Sequence, residues 1–234
     1  WVRADRPQGV VVARGGPTHG FALVFRGGRP RFVVRVDGKV ASVSAKKRAV
    51  GRWVHLAGTL TAEKELRLFI DGKRVAKGKA PGLITADPIQ AMEIGADDAG
   101  AVGTYRSPSG FTGIIDEVRV YHGSVTDAEI AAHHARPIQT ETANAKLVFQ
   151  CDFDDKTARD RSGNNNHGTI AGATAVAGQR GGAMKFVGRP ARVGGSFVKH
   201  RWNVDLPLLV RAMVKAGPTL FVAGPPDLVD EEES

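Results

Sequence analysis

Apolar and polar residues alternate with a period of two through residues 1–121, and glycine, proline or an Asp-Gly pair interrupts the alternation about every 8 to 12 residues. Successive side chains of a β-strand point to opposite faces, so this alternation indicates strands with one buried and one solvated face. Short strands separated by regular turn signals are typical of an antiparallel sandwich or barrel. The sequence therefore predicts an all-β fold with very little helix in this part of the chain.

The clearest predicted hairpin turns at Asp71-Gly72. Leu66, Leu68 and Ile70 precede the turn and share one face of their strand. An Asp-Gly pair suits a two-residue turn because both of its central residues take positive φ, which glycine and aspartate tolerate well. We therefore expect two antiparallel strands joined directly at this point.

One short helix is predicted after the first β-rich stretch. Thr126 and Glu129 have the spacing of a capping box, in which the hydroxyl and the carboxylate satisfy each other's free backbone amides. The helix is expected to run to about His134. Residues 135–146 are mostly polar and predict a linker.

The composition excludes several classes of protein. A single cysteine permits neither an internal disulfide nor a multi-cysteine zinc site. No stretch reaches the roughly 18 uncharged apolar residues of a membrane helix, so membrane insertion is not expected. With 42% hydrophobic residues, the chain can build a packed core. The chain begins at Trp1 without a methionine, which predicts a piece of a longer polypeptide.

A second β-rich stretch follows the linker. It begins at Leu147, passes through a polar loop at residues 160–168 and continues to residue 187. Residues 189–234 contain two apolar runs around a Gly-Pro pair and end in an acidic tail. This last pattern predicts a C-terminal hairpin.

Five motifs in residues 1–134 carry a family resemblance. In chain order they read GRWVHLA from Gly51, LRLFIDG from Leu66, MEIG from Met92, FTGIIDEVRVY from Phe111 and DAEI from Asp127. Their order and spacing resemble those of laminin-G-like domains, which have the concanavalin A-like fold. The resemblance implies an antiparallel jelly-roll β-sandwich.

The opening segment that such a domain normally has is missing from the front of the chain, and a similar segment occurs behind it, within residues 147–188. One interpretation is that this segment supplies the missing strands, so that residues 1–134 and 147–188 form one circularly permuted sandwich. The other is that it starts a second, truncated domain. We favour the first, because half a jelly roll would expose strand edges and an apolar sheet face.

The C-terminal segment, residues 189–234, bears a short resemblance to a blade of quinoprotein-type β-propellers. That resemblance implies that the jelly roll is an appendage of a propeller protein. The alternative is a simple edge hairpin followed by the acidic tail.

Asp116 occupies an unusual position in the pattern. On the predicted strand at residues 113–121, it shares a face with Ile114, Val118 and Val120. If that face is the core, an unpartnered carboxylate there costs too much free energy to be tolerated. Asp116 must then find amide donors, a base or a metal ion.

The family resemblance implies a Ca²⁺ ion near the sheet edge, held by hard oxygen ligands. The candidate ligands are Asp116, Asp152, Asp154 and Asp160, with carbonyl groups from residues 162–165. The alternative is a structural role, in which Asp116 accepts backbone amides and Asp160 organises its own turn.

The chain is basic, with 33 Lys and Arg against 24 Asp and Glu and a formal net charge of +9. A basic body attracts polyanions, so a sulfated glycan is one alternative ligand. Most bases are scattered along predicted strands, and the dense group is Lys46, Lys47 and Arg48. Because aromatic residues are not interleaved with this group, nucleic acid is not an expected partner.

Enzyme activity is not predicted for this chain. Asp152 and Asp154 alternate on one strand face, as do the acid and the nucleophile of concanavalin-type glycosidases. They fall, however, in the family's opening motif, where a structural or calcium-binding role is usual. The sequence also has no nucleophile elbow and no phosphate-binding glycine loop.

The family resemblance implies a non-catalytic accessory module that recognises a carbohydrate or a cell-surface protein. It also implies that the module belongs to a larger exported protein, extracellular or periplasmic. Glycine-rich loops at one end of the sandwich are expected to contact the ligand. Their candidate residues are Arg14, His19, Asp97, Asp98, Tyr105 and Arg106. The alternative is a structural module that packs on an upstream catalytic or propeller domain of the same polypeptide.

Overall fold

The computed structural model describes residues 1–107, 109–135, 142–188, 212–216 and 219–223. The chain forms two compact units, Trp1–Val193 and Gly194–Ser234. The first unit is a jelly-roll β-sandwich of antiparallel strands with one short helix, as the sequence predicts. No helix in the described ranges is long and apolar enough to cross a membrane.

The elements of the first unit share the short lengths that the turn signals predict. In chain order they are β1 (Val2–Ala4), β2 (Gly9–Gly15), β3 (Gly20–Arg26), β4 (Arg29–Val36), β5 (Lys39–Ser44), β6 (Trp53–Val54), β7 (Leu56–Leu60), β8 (Glu65–Ile70), β9 (Lys73–Lys79), β10 (Met92–Ile94), β11 (Ala96–Asp97), β12 (Ser109–Ile115), β13 (Val118–Gly123), α1 (Asp127–Ala135), β14 (Ala145–Cys151), β15 (Thr174–Ala177) and β16 (Gly182–Gly188).

One layer of the sandwich is a five-stranded sheet in the order β10-β2-β3-β4-β5. Tight turns join β3, β4 and β5 in succession, and Asp37-Gly38 between β4 and β5 has a positive φ at both residues. The inner face of this sheet carries Phe32, Val34 and Val43, which are buried in the core.

The other layer combines two sheets, one in the order β15-β16-β12-β1-β6 and one in the order β7-β8-β9. Leu66 and Leu68 of β8 are fully buried against Phe32 of the first layer. Phe111 of β12 packs against Phe25 of β3, with ring centroids 6.2 Å apart. The core therefore lies between the two layers, as in other β-sandwiches.

Strands from residues 145–188 extend the sheets that the first 123 residues form. β16 pairs with β12 from Phe111, opposite Gly188, to Ile115, opposite Met184. β14 pairs with β13, and β15 pairs with the far side of β16. Residues 145–188 therefore pair with strands of the first 123 residues, and the permuted arrangement stays a prediction.

Two strands that the sequence predicts as continuous are each divided. The predicted strand at residues 113–121 becomes β12 and β13, which belong to different sheets, and Glu117 between them has a φ of 53°. The strand predicted from Trp53 to residue 60 becomes β6 and β7 in the same way. Alternation does not report such breaks, because a chain can change sheets while its side chains continue to alternate.

The helix α1 begins with the predicted capping box. The backbone N–H of Glu129 donates to Thr126 Oγ1 at 3.2 Å, and the N–H of Thr126 donates to Glu129 Oε2 at 2.7 Å. Ile130 of the helix packs against Phe69, which is fully buried on the face of β8 opposite to Leu68. The helix thus covers the outer side of the β7-β8-β9 sheet.

Some predictions concern residues outside the described ranges. Residues 136–141 of the predicted linker lie outside them, as do the acidic tail and most of the C-terminal segment. Within that segment, β17 (Ala212–Ala216) and β18 (Thr219–Ala223) pair as an antiparallel hairpin. The resemblance to a propeller blade stays a prediction.

Candidate functional site

The outer face of the five-stranded sheet is partly covered by a loop at residues 98–107. Val24 and Val33 lie on this face, whereas Phe32 lies on the inner face, because neighbours along a strand point to opposite sides. Val102 of the loop is fully buried against the two valines. The loop therefore forms a wall that stands on the sheet.

Arg35 of β4 fastens this wall to the sheet. Its Nε donates to the carbonyl of Val102 at 2.7 Å, and its Nη2 donates to the carbonyl of Gly103 at 3.3 Å. Its Nη1 donates to the carbonyl of Pro17 at 3.0 Å. A guanidinium carries five donors in a fixed plane, so this one side chain orients two loops.

Asp97 holds the other side of the wall. Its side chain is nearly inaccessible, at 2% exposure, and its Oδ2 accepts hydrogen bonds from the Tyr105 hydroxyl at 2.5 Å and the Val102 N–H at 3.3 Å. Burial raises the pKa of Tyr105, and the hydrogen bond to Asp97 raises it further. The phenol therefore keeps its proton at neutral pH, and its ring is fixed in place.

A cleft of about 320 Å³ lies between this wall and the sheet. Its volume is at the lower end of the range of about 300–1,000 Å³ that is typical of small-molecule sites. Valines form its apolar part and hydroxyl, amide and guanidinium groups its polar part. The lining residues are Gln8, Gly9, Val10, Val24, Phe25, Arg26, Arg31, Val33, Val40, Ser42, Thr104, Tyr105 and Ser109.

Two of the lining residues are arginines. The Nε of Arg31 on β4 is buried and has no hydrogen-bond partner among the described residues. Arg26 at the end of β3 is exposed and donates to Thr104 Oγ1 at 3.4 Å. The cleft therefore presents guanidinium donors that a ligand with oxygen acceptors can use.

Of the predicted ligand residues, Tyr105 lines this cleft. Asp97 does not, and the prediction that it contacts a ligand directly is corrected, because its carboxylate is buried behind the wall and is used by Tyr105 and Val102. Asp97 instead positions Tyr105.

The other predicted ligand residues do not line the cleft. Arg106 is exposed. The other three residues contact acids outside the cleft. Arg14 Nη2 lies 2.6 Å from Asp87 Oδ1, and His19 Nε2 lies 3.1 Å from Asp37 Oδ1. The backbone N–H of Asp98 donates to Glu93 Oε2 at 2.7 Å. The six residues are therefore not brought together at one site.

Sequence reasoning did not select Arg31, Gln8 or Ser42. One signal was available for Arg31: in the β4 sequence RPRFVVRV, two arginines flank Val33 on the face opposite to Phe32. Gln8 and Ser42 carried no comparable signal. Their place in the cleft depends on the loop that folds over the sheet.

The predicted metal ligand Asp116 is fully buried just after β12. Its Oδ2 accepts the backbone N–H of Arg180 at 2.9 Å, and its Oδ1 has no partner among the described residues. Burial raises the pKa of Asp116 to about 6, although the amide of Arg180 acts in the opposite direction. Asp116 thus fastens the turn between β15 and β16.

The predicted ligands Asp152 and Asp154 also accept backbone amides. Asp154 Oδ1 accepts the N–H of Gly182 at 2.7 Å. Asp152 Oδ1 accepts the N–H of Asp154 at 3.2 Å, and its Oδ2 lies 3.3 Å from Arg161 Nε. The first of these contacts ties the loop after β14 to the start of β16.

Asp160, the fourth predicted ligand, organises the polar loop at residues 160–168. Its Oδ1 accepts the N–H groups of Gln150 at 3.0 Å and Ser162 at 2.8 Å, and its Oδ2 accepts the N–H of Asn166 at 2.9 Å. Burial alone would raise the pKa of Asp160, but the bonds from Ser162 and Gln150 outweigh it and lower the pKa.

The four predicted ligands do not fit one Ca²⁺ site. Among the described residues, no three Asp, Glu, His or Cys side chains lie close enough to hold a metal ion. Backbone N–H groups occupy Oδ1 of Asp154 and both carboxylate oxygens of Asp160, whereas Ca²⁺ needs oxygen atoms in those places. Each of the four carboxylates therefore has a structural role in the fold, and calcium binding stays a prediction.

Comparison with known proteins identifies the family. A family model, Laminin_G_3 of the concanavalin A-like lectin/glucanases superfamily, matches residues 1–131. Comparison with curated proteins gave no match.

Two solved structures share similarity with the chain. A native heptameric SAP-like pentraxin from Limulus polyphemus is 11% identical with a TM-score of 0.44, and an S-layer domain-containing protein (residues 221–444) from Clostridium thermocellum is 18% identical with a TM-score of 0.28. Each alignment covers 57% of this chain and 66% of the other, so the matched part spans about two thirds of those structures. The family match covers more than half of the sequence, and the chain belongs to the Laminin_G_3 family.

Proposed function

We propose that this chain is a non-catalytic recognition module that binds a carbohydrate in the cleft on the outer face of the five-stranded sheet. The observation that carries the proposal is the cleft itself, in which an apolar floor is surrounded by hydrogen-bonding side chains. Sugars present C–H faces and hydroxyl groups together, and sites of this mixed kind provide both apolar contact and orienting hydrogen bonds. Domains of this family are commonly carbohydrate- or protein-binding modules.

The side chains that line the cleft support binding rather than hydrolysis. Glycoside hydrolysis needs a pair of carboxylic acids on either side of the bond that breaks. The lining residues include arginines, hydroxyl groups and an amide, and none of the described ones is an acid or a histidine. The acids with glycosidase-like spacing, Asp152 and Asp154, accept backbone amides in another part of the fold.

The rigidity of the wall also supports recognition. Arg35 and Asp97 fix the loop from two sides, so Tyr105 is already in place before a ligand arrives. A site that is ordered in advance loses less conformational entropy on binding. We further propose that the module serves a larger exported protein at a cell surface, in line with the usual setting of its family.

The test is to fill the cleft with a large side chain. Ser42 is exposed on β5 and lines the cleft, so Ser42→Trp blocks it without changing the core. The matched control is Lys39→Trp, at the exposed β4–β5 turn, which does not line the cleft. Affinity electrophoresis in gels that contain neutral and anionic polysaccharides then measures retardation.

We expect at least one polysaccharide to retard the wild type and the control, and Ser42→Trp to lose about tenfold in affinity, the effect of about 1.4 kcal/mol. Equal retardation of Ser42→Trp and wild type would contradict binding in the cleft. No retardation by any polysaccharide would instead favour the structural alternative, a module that packs on a neighbouring domain.

A further inference from the structure

Three loops meet at one end of the sandwich, beside the cleft. The N–H of Gly28 in the β3–β4 turn donates to the carbonyl of Pro7 at 2.8 Å, and the N–H of Ala49 donates to the carbonyl of Gly28 at 2.8 Å. The N–H of Ala45 donates to the carbonyl of Pro30 at 2.9 Å. The loops around residues 5–8, 27–28 and 45–50 therefore form one connected surface.

This surface carries six exposed bases, which we call the basic end. They are Arg6, Arg26, Arg29, Lys46, Lys47 and Arg48. Arg29 Nε donates to the carbonyl of Lys46 at 3.1 Å, which holds two of them side by side. Asp5 is the one acid in these three loops, and its carboxylate lies 3.5 Å from Arg3 Nε.

The basic end is not neutralised by carboxylates within the described part of the chain, where none of its six bases forms a salt bridge. Two exposed bases elsewhere in the fold are paired, since Arg74 lies 3.0 Å from Asp127 and Arg52 lies 3.0 Å from Asp71. Six like charges on connected loops repel one another, and this repulsion is relieved when an anion binds.

The basic end and the cleft are continuous. Arg26 belongs to the basic end and also lines the cleft, and Gln8 lines the cleft two residues after Arg6. Inside the cleft, the half-buried Arg31 also contributes to the lining. A chain-like ligand that occupies the cleft therefore meets guanidinium groups inside it and a row of cations at its mouth.

We propose that the ligand is a linear anionic polysaccharide, in which sulfate or carboxylate groups contact Arg31 and the basic end while a sugar ring occupies the cleft. The proposal rests on the proposed function, and it adds the charge class of the ligand and the surface that selects it. Arginine suits both groups, because its planar donors match the oxygen geometry of carboxylate and sulfate.

The lining of the cleft favours a polysaccharide over a nucleic acid. Binding of single-stranded nucleic acid uses successive aromatic side chains on which bases stack. Here Tyr105 is the lining aromatic with an accessible surface, since Phe25 is only 2% exposed. Hydroxyl and amide groups of Gln8, Ser42 and Thr104 instead match a ligand that is rich in hydroxyl groups.

The experiment compares two triple variants with the same loss of charge. Lys46→Ser/Lys47→Ser/Arg48→Ser removes half of the basic end. Lys39→Ser/Lys146→Ser/Lys185→Ser removes three exposed lysines from other surfaces. Thermal melting of both variants first confirms that they fold like the wild type.

The probes are dextran sulfate, polygalacturonate and neutral dextran, with oligo-dT and poly-glutamate as competitors, and affinity is measured at several salt concentrations. We expect an anionic polysaccharide to bind and neutral dextran not to bind. The basic-end variant loses about tenfold or more in affinity, and its slope of log affinity against log salt falls by about two to three, one for each lost ionic contact. The control triple variant changes both the affinity and the salt slope less than the basic-end variant does.

Several results would overturn the proposal. They are equal affinities for the two triple variants, equal binding of neutral and sulfated dextran, and displacement by oligo-dT or poly-glutamate at the concentrations at which the polysaccharide itself binds. Preference between dextran sulfate and polygalacturonate distinguishes sulfate from carboxylate as the recognised group.

The two proposals fail separately. If Ser42→Trp abolishes binding while the basic-end variant equals its control, the cleft binds carbohydrate and the charge selection is wrong. If the basic-end variant loses affinity while Ser42→Trp does not, anions bind the loops alone and the role of the cleft is wrong.

Discussion

The basic end and the acidic loops after β14 use charge in opposite ways. The carboxylates of Asp154 and Asp160 accept backbone amides at 2.7–3.0 Å and are committed to holding loops together. The bases of the basic end lie on and beside loops whose backbone groups pair with one another, and none of the six forms an ion pair within the described part of the chain. The bases of the basic end are therefore available to bind an anionic ligand.

This comparison predicts that acids of the loop control stability while bases of the basic end control binding. A carboxylate that satisfies buried amides stabilises the fold because its removal leaves those donors unpaired. An exposed lysine or arginine without a partner contributes little to stability.

The largest expected effect follows the loss of the Asp160 carboxylate. Asp160→Ala leaves the N–H groups of Gln150, Ser162 and Asn166 without their acceptor, and we expect a loss of about 3 kcal/mol in the free energy of unfolding. Urea denaturation followed by circular dichroism measures this loss. The control is Asp155→Ala, an exposed acid in the same loop region, for which we expect a clearly smaller loss because solvent screens its interactions. Similar losses of stability in Asp160→Ala and Asp155→Ala would contradict the stabilising role of the Asp160 carboxylate.

A smaller effect is expected at the wall of the cleft. Tyr105→Phe keeps the ring and removes the hydroxyl that donates to Asp97, so the buried carboxylate retains the N–H of Val102 alone. We expect a loss of about 1–2 kcal/mol in stability, together with weaker polysaccharide binding as the wall loosens. Unfolding and affinity electrophoresis test both outcomes, and unchanged stability would contradict the positioning role of Asp97.

The free energy of unfolding is expected to decrease in two steps as the pH is lowered. Burial lowers the pKa of His133 and lowers that of His55 to about 3, so both contributions are present above the unfolded value of 6.5 and are lost as the pH falls below it. The amide bonds to Asp160 lower its pKa, so its contribution is lost only below about pH 3.8. Asp116 acts in the opposite direction, because its pKa is raised from 3.8 to about 6. Between these two pH values, its protonation stabilises the folded state as the pH falls.

His133→Phe separates these contributions. The ring of His133 stacks on Tyr121 with centroids 5.6 Å apart, and phenylalanine preserves this contact. We expect the variant to lose less stability than the wild type between pH 7 and pH 5, and to lose a similar amount below pH 4. Parallel pH profiles over the whole range would contradict the assignment to His133.

The smallest expected effect is that of calcium. Because amide donors occupy the carboxylates of Asp154 and Asp160, we expect the melting temperature to be the same with Ca²⁺ and with a chelator. Differential scanning calorimetry checks this expectation. A clear rise in melting temperature with Ca²⁺, abolished by Asp154→Asn, would restore calcium to this loop.

Local signals in the sequence predict the elements of this fold well. The Asp71-Gly72 hairpin and the capping box of α1 form as predicted, because a few adjacent residues determine each. The breaks after Ile115 and after Val54 were missed, since alternation continues across a change of sheet. Burial of Asp116 and its need for a partner were also predicted from the face that it shares with apolar neighbours.

The candidate site is less accessible to such reasoning. The contact of Arg35 with Val102 joins residues 67 positions apart, and it helps to hold over the sheet the loop that forms the cleft. The prediction placed ligand residues in loops by composition alone, and it included Tyr105 but not Arg31. Sequence patterns report which face of a strand is outward, but they do not report which distant loop covers that face.

The bond between Asp116 and the amide of Arg180 has a consequence for how the protein is made, because it joins residues 64 positions apart. While the ribosome is still adding residues 136–181, β12 has its neighbour β1 but lacks β16, and its second edge is open. An open edge is a template for pairing with other chains. The nascent chain is therefore exposed to such pairing at this edge until residues 182–188 emerge from the exit tunnel and close it.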